Sequence, residues 1–299
     1  MKKTLIVRTV TGVFATAMPI AALFFLRSPL FGILVILFSA LGVYEICHAV
    51  QIKNKAMFAA AIAAAALFPA VAEYGLLEKL RLPAMPVLFG YFLLLVILML
   101  AGYEKTRFSH LLYALAASLG IPAALSCILF MRERIGAAEG FPQANNLAVY
   151  FIFYILCSAW LTDVFALFVG VKFGKRKLSP KISPKKTVEG AVGGLVITTL
   201  VNIGFAALFN AFWLGGLYHI NLLAVGLATL PIGLVSMCGD LAASVLKRNY
   251  GVKDFGSIFP GHGGVMDRFD SLVFVAPFVL AMVQLEQSLG LHIFYEVIA

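Results

Sequence analysis

Long apolar segments separated by short polar stretches run along the whole chain. A helix needs about 20 apolar residues to cross the hydrocarbon core of a bilayer, which is about 30 Å thick. Nine segments come close to that length, and each one predicts a membrane-spanning helix. They cover residues 9–26, 30–50, 56–72, 85–102, 109–131, 147–170, 189–211, 220–240 and 271–290.

The clearest stretch is the 49 residues from 191 to 239, which contain no Asp, Glu, Lys or Arg. As one helix this stretch would be about 74 Å long at about 1.5 Å per residue, so it predicts two crossings. Gly215, Gly216 and Asn221 mark the bend between them. The segment at 56–72 is short and rich in alanine, so a tilted or buried helix is the alternative there.

Composition agrees with this pattern. Apolar residues make up 62% of the 299 residues and charged residues only 12%, about half the charged fraction of a soluble domain. These values exclude a soluble enzyme, a disordered chain and a coiled coil. The four cysteines stand alone in apolar stretches, which favours packing over metal binding. We therefore predict an all-α fold, a polytopic integral membrane helix bundle of about nine transmembrane helices forming a single membrane domain over residues 1–299.

The positive charges are distributed unevenly between alternate loops. If the N-terminus is inside, the inner segments contain 18 Lys and Arg residues and the outer segments contain 5. This asymmetry predicts a cytoplasmic N-terminus. Because the basic residues lie between apolar segments, the net charge of +9 indicates a membrane rather than a nucleic acid as the partner. The segment at 9–26 follows Lys2 and Lys3 as a secretory signal would, but its apolar run continues to Leu26. We expect it to be a retained first crossing.

A basic loop at residues 171–188 follows the sixth predicted crossing. Ser183 and Pro184 resemble a helix N-cap followed by proline in the first helical position, which would put Lys185 and Lys186 in the first turn. Cations oppose the helix dipole at that end, so a bound phosphate would relieve the conflict. The alternative is an ordinary basic anchor at the inner membrane face.

Asp163 lies within the sixth crossing itself. A lone carboxylate near the middle of a membrane helix costs about 2.5 to 3.5 kcal/mol on insertion scales, so it is a functional candidate by default. A structural pair with a polar side chain of another helix is the alternative.

The second polar loop, at residues 240–270, contains two acidic faces. If a helix continues the eighth crossing, Asp240, Ser244 and either Lys247 or Arg248 share one face. The second acidic face lies at the start of the ninth crossing and consists of Asp267, Asp270 and Ser271. Hard oxygen ligands suit Mg²⁺, and glycines in the turn between would let backbone N–H groups approach a phosphate. Salt bridges between helix ends are the alternative use of these residues.

The second loop also resembles a known signature. Its residue types and their spacing resemble those of phosphatidate cytidylyltransferases, also called CDP-diacylglycerol synthases. The residues that carry the resemblance are Ser244, Lys247-Arg248, Lys253-Asp254, Pro260, His262-Gly263-Gly264, Asp267-Arg268 and Asp270. Residues 173–175 and 179–190 resemble the other cytoplasmic loop of that family, so the likeness covers roughly residues 160–272. One departure is the sequence after Asp163, where the family often has small residues and an aromatic one.

This resemblance implies transfer of a cytidylyl group from CTP to phosphatidic acid, giving CDP-diacylglycerol and pyrophosphate. It implies Mg²⁺, with room for a second metal ion, and a catalytic half at residues 147–299 after an N-terminal bundle at 1–146. The implied metal ligands are Asp240, Asp267, Asp270 and Asp163. The implied catalytic residues are Lys247, Arg248, Lys253, Asp254, His262 and Arg268, with His262 in a hydrogen-bonding or structural role rather than as a base. The implied substrate-binding residues are Ser183, Lys185, Lys186, Thr187, Ser244, Gly263 and Gly264.

The expected setting is a bacterial inner membrane with the active site facing the cytoplasm. Expected partners are CTP, phosphatidic acid and membrane lipids, with no nucleic acid, and a homodimer is compatible with this interpretation. Two other functions remain open at this point. One is a related CTP-dependent lipid kinase or a cytidylyltransferase for another lipid. The other is a transporter of an anionic solute, in which Asp163 would line the path.

Overall fold

A computed structural model describes residues 25–26, 28–136, 142–214, 216, 218–259, 263–291 and 293–297. Within this part of the chain, eight helices are long and apolar enough to cross a membrane. The chain is thus a polytopic α-helical membrane protein, as its sequence predicts. The predicted crossing at residues 9–26 lies outside the described residues apart from its last two positions.

The eight predicted crossings from residue 30 onward each correspond to one long helix. These helices are α1 (Pro29–Ala49), α2 (Lys55–Tyr74), α4 (Ala84–Ala101), α5 (Phe108–Gly136), α6 (Pro142–Phe173), α7 (Val188–Phe212), α8 (Leu222–Asn249) and α10 (Leu272–Ser288). Two one-turn helices accompany them, α3 (Leu76–Lys79) and α9 (Met266–Phe269). Four short strands complete the described elements: β1 (Lys177–Ser179), β2 (Ser183–Thr187), β3 (Tyr218–Ile220) and β4 (Tyr295–Val297).

The chain divides into two compact units. The first unit takes residues up to 129 together with 249–269, and the second takes residues 130–248 together with 270–299. The predicted division at residue 146 within a single membrane domain stays a prediction.

In the first unit, α1 packs against α2 and against the short helix α9. The α1 helix starts sharply because the Ser28 side chain accepts a hydrogen bond from the Leu30 N–H and Pro29 follows it. The rings of Phe38 on α1 and Phe269 on α9 have centroids 5.1 Å apart. These contacts hold α9 against the α1 helix.

In the second unit, α6 packs closely against α7. The buried face of α7 repeats every four residues with small or polar side chains, namely Gly190, Gly194, Thr198, Asn202 and Ala206. A Cβ atom placed on Gly194 would lie only 2.8 Å from the Thr162 carbonyl oxygen of α6. Small residues at such a spacing let the backbones of two membrane helices approach closely. Because lipid tails are as apolar as the helices, van der Waals contacts rather than the hydrophobic effect then hold the helices together.

Buried polar side chains fix α8 in the same unit. The Asn202 amide of α7 donates to Ser158 Oγ of α6 at 2.9 Å and to Thr229 Oγ1 of α8 at 3.3 Å. Tyr154 of α6 shares a 3.0 Å hydrogen bond with the same Thr229 hydroxyl. Hydrogen bonds between membrane helices contribute about 0.6 to 2 kcal/mol each. The three helices are therefore held at a fixed rotation and depth relative to one another.

The loop before α7 differs from its prediction. Residues 183–187 form strand β2, which pairs antiparallel with β1 in the register Ser179 to Ser183 and Lys177 to Thr187. The helix N-cap is Thr187, whose hydroxyl accepts from the Gly190 N–H, so the prediction of a helix start at Ser183 is wrong. The Ser-Pro pair is also compatible with an extended segment, because the φ value that proline fixes occurs at the ends of both strands and helices.

Candidate active site

Three charged side chains meet in the second unit, one from each of three elements. Asp163 lies on α6, Lys186 on β2 and Asp240 on α8. Lys186 Nζ lies 3.1 Å from Asp163 Oδ1 and 2.6 Å from Asp240 Oδ2. The side chains of Lys186 and Asp240 are only 22% and 21% exposed, and that of Asp163 is 33% exposed. We call these three residues the aspartate–lysine cluster.

The α6–α7 contact accounts for this meeting. Lys186 directly precedes Thr187, the N-cap of α7, so its position is set by where α7 begins. A Cβ atom on Gly190 in the first turn of α7 would lie 2.5 Å from the Ala166 carbonyl oxygen, one turn along α6 from Asp163. Close approach of the two backbones therefore brings the Lys186 ammonium to the Asp163 carboxylate.

The carboxylates around Lys186 favour its charged form. Burial alone lowers its pKa, but the neighbouring carboxylates of Asp163 and Asp240 outweigh burial and raise the pKa above the usual lysine value. Two carboxylates and one ammonium leave a formal charge of −1 in the cluster. Asp240 Oδ2 is buried against the Lys186 ammonium. The excess of one negative charge makes the cluster a candidate site for a further cation.

Polar groups from the start of α10 and the end of α8 border the cluster. The Ser271 hydroxyl donates to Asp163 Oδ2 at 3.1 Å. Lys247 Nζ lies 3.7 Å from Asp270 Oδ2, and these two residues are 9% and 6% exposed. The α8 helix continues to Asn249, which confirms the predicted extension, and Lys247 rather than Arg248 is the cation on its buried face. Ser244 is buried on that face as well.

A separate carboxylate organises the loop in the first unit. Asp267 Oδ2 accepts backbone N–H bonds from Phe255 at 2.8 Å, Gly264 at 2.9 Å and Gly256 at 3.4 Å. Gly263 adopts a φ of +84°, in the left-handed region that favours glycine, and pairs with Phe259 in an isolated bridge. The Gly264 N–H, which sequence analysis assigned to phosphate, thus donates to a carboxylate of the protein. The Asp267 carboxylate thus holds backbone amides from two parts of the loop together.

The remaining predicted residues lie at varied positions. Lys253 and Asp254 are exposed in the loop of the first unit, and Arg268 is partly buried there. In the second unit Arg248 and Lys185 are exposed, Ser183 is partly buried, and Thr187 is buried as the α7 cap. His262 lies outside the described residues.

The family model for the cytidylyltransferase family matches residues 6–286. The chain belongs to the cytidylyltransferase family. It is similar to the phosphatidate cytidylyltransferase of Bacillus subtilis (strain 168), with 37% identity over 228 residues that cover 70% of this chain and 82% of that protein. It is also similar to the phosphatidate cytidylyltransferase of Rickettsia bellii (strain RML369-C), with 32% identity over 192 residues, 64% of this chain and 78% of that protein. The predicted resemblance to this family is thereby confirmed.

One buried acid of this chain, Glu45, was not among the residues predicted from the sequence. Glu45 on α1 is only 2% exposed and accepts two backbone N–H bonds from the loop segment just before Asp267. The signal was present, because Glu45 is a carboxylate inside the apolar segment 30–50, just as Asp163 is inside 147–170. Its partners lie 220 and 221 positions away, too distant for any local pattern to indicate.

Proposed function

We propose that the aspartate–lysine cluster is the part of the active site at which the phosphate charges of the two substrates are neutralised. The chain transfers the cytidylyl group of CTP to phosphatidic acid, giving CDP-diacylglycerol and pyrophosphate. The observation that supports the site is the meeting of Asp163 and Asp240 at one ammonium, with a net negative charge in a mostly buried position.

The reaction explains why such a site is needed. A phosphate oxygen of phosphatidic acid forms a bond to the α-phosphorus of CTP, and the bond from that phosphorus to the bridging oxygen breaks. The electron pair of that bond leaves with pyrophosphate. The attacking oxygen is already ionised near neutral pH, so no base has to remove a proton from it. The main barrier is repulsion between two anions, which positioned cations cancel before the oxygens align.

The donor set of the cluster fits Mg²⁺. Mg²⁺ in proteins is usually held by one or two carboxylates together with substrate phosphates, rather than by a complete protein cage. Asp163 and Asp240 would supply those two carboxylates. The described residues contain no group of three or more His, Cys, Asp or Glu side chains placed for a metal, so the remaining ligands would be substrate phosphates and water. When bound, the ion neutralises charge on the phosphate oxygens. Asp267 and Asp270 stay predicted ligands, as does a second metal ion.

The basic residues of the chain have distinct roles in this proposal. Lys186 remains protonated and keeps the two aspartates together before substrate arrives, then contributes positive charge next to the incoming phosphates. Lys247, which is buried beside Asp270, holds the end of α8 in place. We assign the more exposed Arg248, Lys253 and Arg268 to neutralising the triphosphate or the lipid phosphate.

We further propose that the site faces the cytoplasm of a bacterial inner membrane. Lys and Arg are concentrated in the segments predicted to lie on the same side of the membrane as the N-terminus, and both polar loops belong to that set. CTP would then arrive from the cytosol, while phosphatidic acid keeps its acyl chains in the lipid. Assembly as a homodimer belongs to the same proposal, and cross-linking in native membranes tests it.

One labelling experiment tests the function. Purified protein in detergent micelles with phosphatidic acid is given CTP labelled at the α-phosphate or, separately, at the γ-phosphate. We expect lipid to take up the α-label and not the γ-label, with pyrophosphate as the other product. Transfer of the γ-label to lipid would identify a lipid kinase. If CTP were not consumed with either label, cytidylyl transfer would be refuted.

A further inference from the structure

The buried carboxylate of Glu45 is bound to consecutive backbone amides of the first unit's loop. Glu45 Oε1 accepts the Val265 N–H at 3.0 Å, and Oε2 accepts the Met266 N–H at 2.8 Å. The preceding amide, that of Gly264, donates to Asp267 Oδ2 at 2.9 Å. Two carboxylates therefore bind three successive N–H groups, one from the membrane helix α1 and one from within the loop.

Glycines make this arrangement sterically feasible. A Cβ atom added to Gly256 or to Gly264 would overlap the Glu45 carboxylate. Both residues thus place bare backbone against this carboxylate from two parts of the loop. Gly264 was assigned to phosphate binding from the sequence, whereas the structure gives a reason for glycine that involves Glu45 instead.

The contacts with Glu45 determine where Asp267 lies. Phe255 and Gly256 donate to Asp267 from one part of the loop, and Gly264 donates from the other. Glu45 binds the two amides between Gly264 and Asp267, so these residues have little freedom to move relative to α1. Charge-assisted hydrogen bonds to backbone N–H groups are among the stronger ones, and they gain strength when buried.

We propose that Glu45 is a positioning residue for the transfer reaction, acting through Val265 and Met266 to hold the Asp267 carboxylate in its working place. This inference rests on the proposed function in one respect, the assignment of Asp267 to the reaction. Its chemistry is distinct from that of a ligand, because both Glu45 oxygens bind backbone N–H groups. Residues that orient a ligating or reacting group typically change activity 10–100-fold when they are replaced.

The test compares two matched substitutions. Glu45→Gln keeps the size of the side chain but presents an NH₂ group to one of the two N–H donors, so one hydrogen bond is replaced by a repulsive contact. The control is Glu286→Gln, because Glu286 on α10 is also buried, at 3% exposed, and accepts a backbone N–H, that of Phe294, at 2.9 Å. Both variants neutralise a buried helix carboxylate, but Glu286 lies outside the proposed machinery.

Three readouts separate positioning from simple stabilisation. We expect Glu45→Gln to lower kcat 10–100-fold with KM for CTP changed less than threefold, while Glu286→Gln keeps kcat within twofold. The melting temperatures of the two variants should fall by similar amounts. Hydrogen–deuterium exchange should speed up in peptides that contain residues 264–267 of Glu45→Gln and stay unchanged there in Glu286→Gln.

A second variant covers the case in which Glu45→Gln does not fold. Gly256→Ala leaves the charge of Glu45 in place but pushes its carboxylate aside, and we expect the same loss of kcat and the same faster exchange. Glu45→Asp, which keeps the charge on a shorter side chain, should recover part of the activity.

Equal kcat in Glu45→Gln and Glu286→Gln, or unchanged exchange at residues 264–267, would overturn the positioning role. If wild-type protein made no CDP-diacylglycerol, the proposed function would fail, whereas the exchange measurements would still report on Glu45.

Discussion

The close contact between α6 and α7 predicts a sharp difference between two glycines of the same helix. A Cβ atom on Gly194 would lie 2.8 Å from the Thr162 carbonyl oxygen and 2.9 Å from the Ala166 backbone nitrogen. Ordinary contact begins at 3.4 Å, so Gly194→Ala must move the two backbones apart by about 0.6 Å. Around a Cβ atom on Gly204, nothing lies within 4 Å.

The expected magnitudes follow from these distances. Overpacking costs about 1–3 kcal/mol, and the better helix propensity of alanine returns about 1 kcal/mol, so Gly194→Ala should lose up to about 2 kcal/mol. Gly204→Ala should be neutral or stabilising by up to about 1 kcal/mol. Thr162 is next to Asp163, so the shift also moves the aspartate–lysine cluster. Because a 1 Å misplacement costs about 100-fold in rate, we expect Gly194→Ala to lose about tenfold in kcat.

The assay is thermal unfolding of both purified variants in the same detergent, followed by kcat for CDP-diacylglycerol formation. Gly194→Ala should melt several degrees below Gly204→Ala and be the slower enzyme. Equal melting temperatures and equal kcat would refute the conclusion that backbone contact between α6 and α7 positions the site.

Three further predictions concern single side chains. Lys186 has a raised folded-state pKa, so its ion pairs stabilise the protein at neutral pH and are lost only as pH rises through a value above about 10.4. The gap in melting temperature between wild type and Lys186→Met should thus be constant from pH 7 to 9 and shrink above pH 10, and a gap that closes near pH 7 would contradict the assignment. Asn202→Leu removes the donor to Ser158 and Thr229 and should cost about 1–2 kcal/mol in detergent unfolding titrations, where no loss would show that this network is energetically silent. Asp267→Asn places an amide NH₂ near backbone donors and should reduce kcat at least 100-fold, with normal turnover excluding Asp267 from the reaction.

The apolar pattern predicted the long helices well because the bilayer imposes one simple requirement. Every backbone polar group in the hydrocarbon must be paired within its own segment, so each long apolar run has to be helical. The bend at Gly216 and Asn221 could also be predicted, because it depends on contacts between neighbouring residues. Asn221 Oδ1 accepts the Leu223 and Ala224 N–H groups at the start of α8.

The site itself could be predicted only in part. Asp163 stood out because a carboxylate inside an apolar segment is costly unless it is paired. Asp240 stood out by its helical spacing from Ser244 and from Lys247 or Arg248. Lys186 stood out through a predicted helix start at Ser183, which the structure places at Thr187 instead. Which of them meet depends on the α6–α7 contact, and that contact depends on a stripe of small residues that also looks like ordinary membrane helix. The strand at residues 183–187 was missed because its pairing with β1 was not visible in the Ser-Pro pattern.

The central claim is that Asp163 and Asp240 form a cation site, and metal binding tests it most directly. Mn²⁺ gives an electron paramagnetic resonance signal that is lost on binding, so titration of wild type and Asp240→Asn, with and without CTP, measures affinity without turnover. We expect wild type to bind Mn²⁺ more tightly when CTP is present, and Asp240→Asn to bind at least tenfold more weakly at a similar melting temperature. Equal Mn²⁺ affinity in the two proteins would contradict the account.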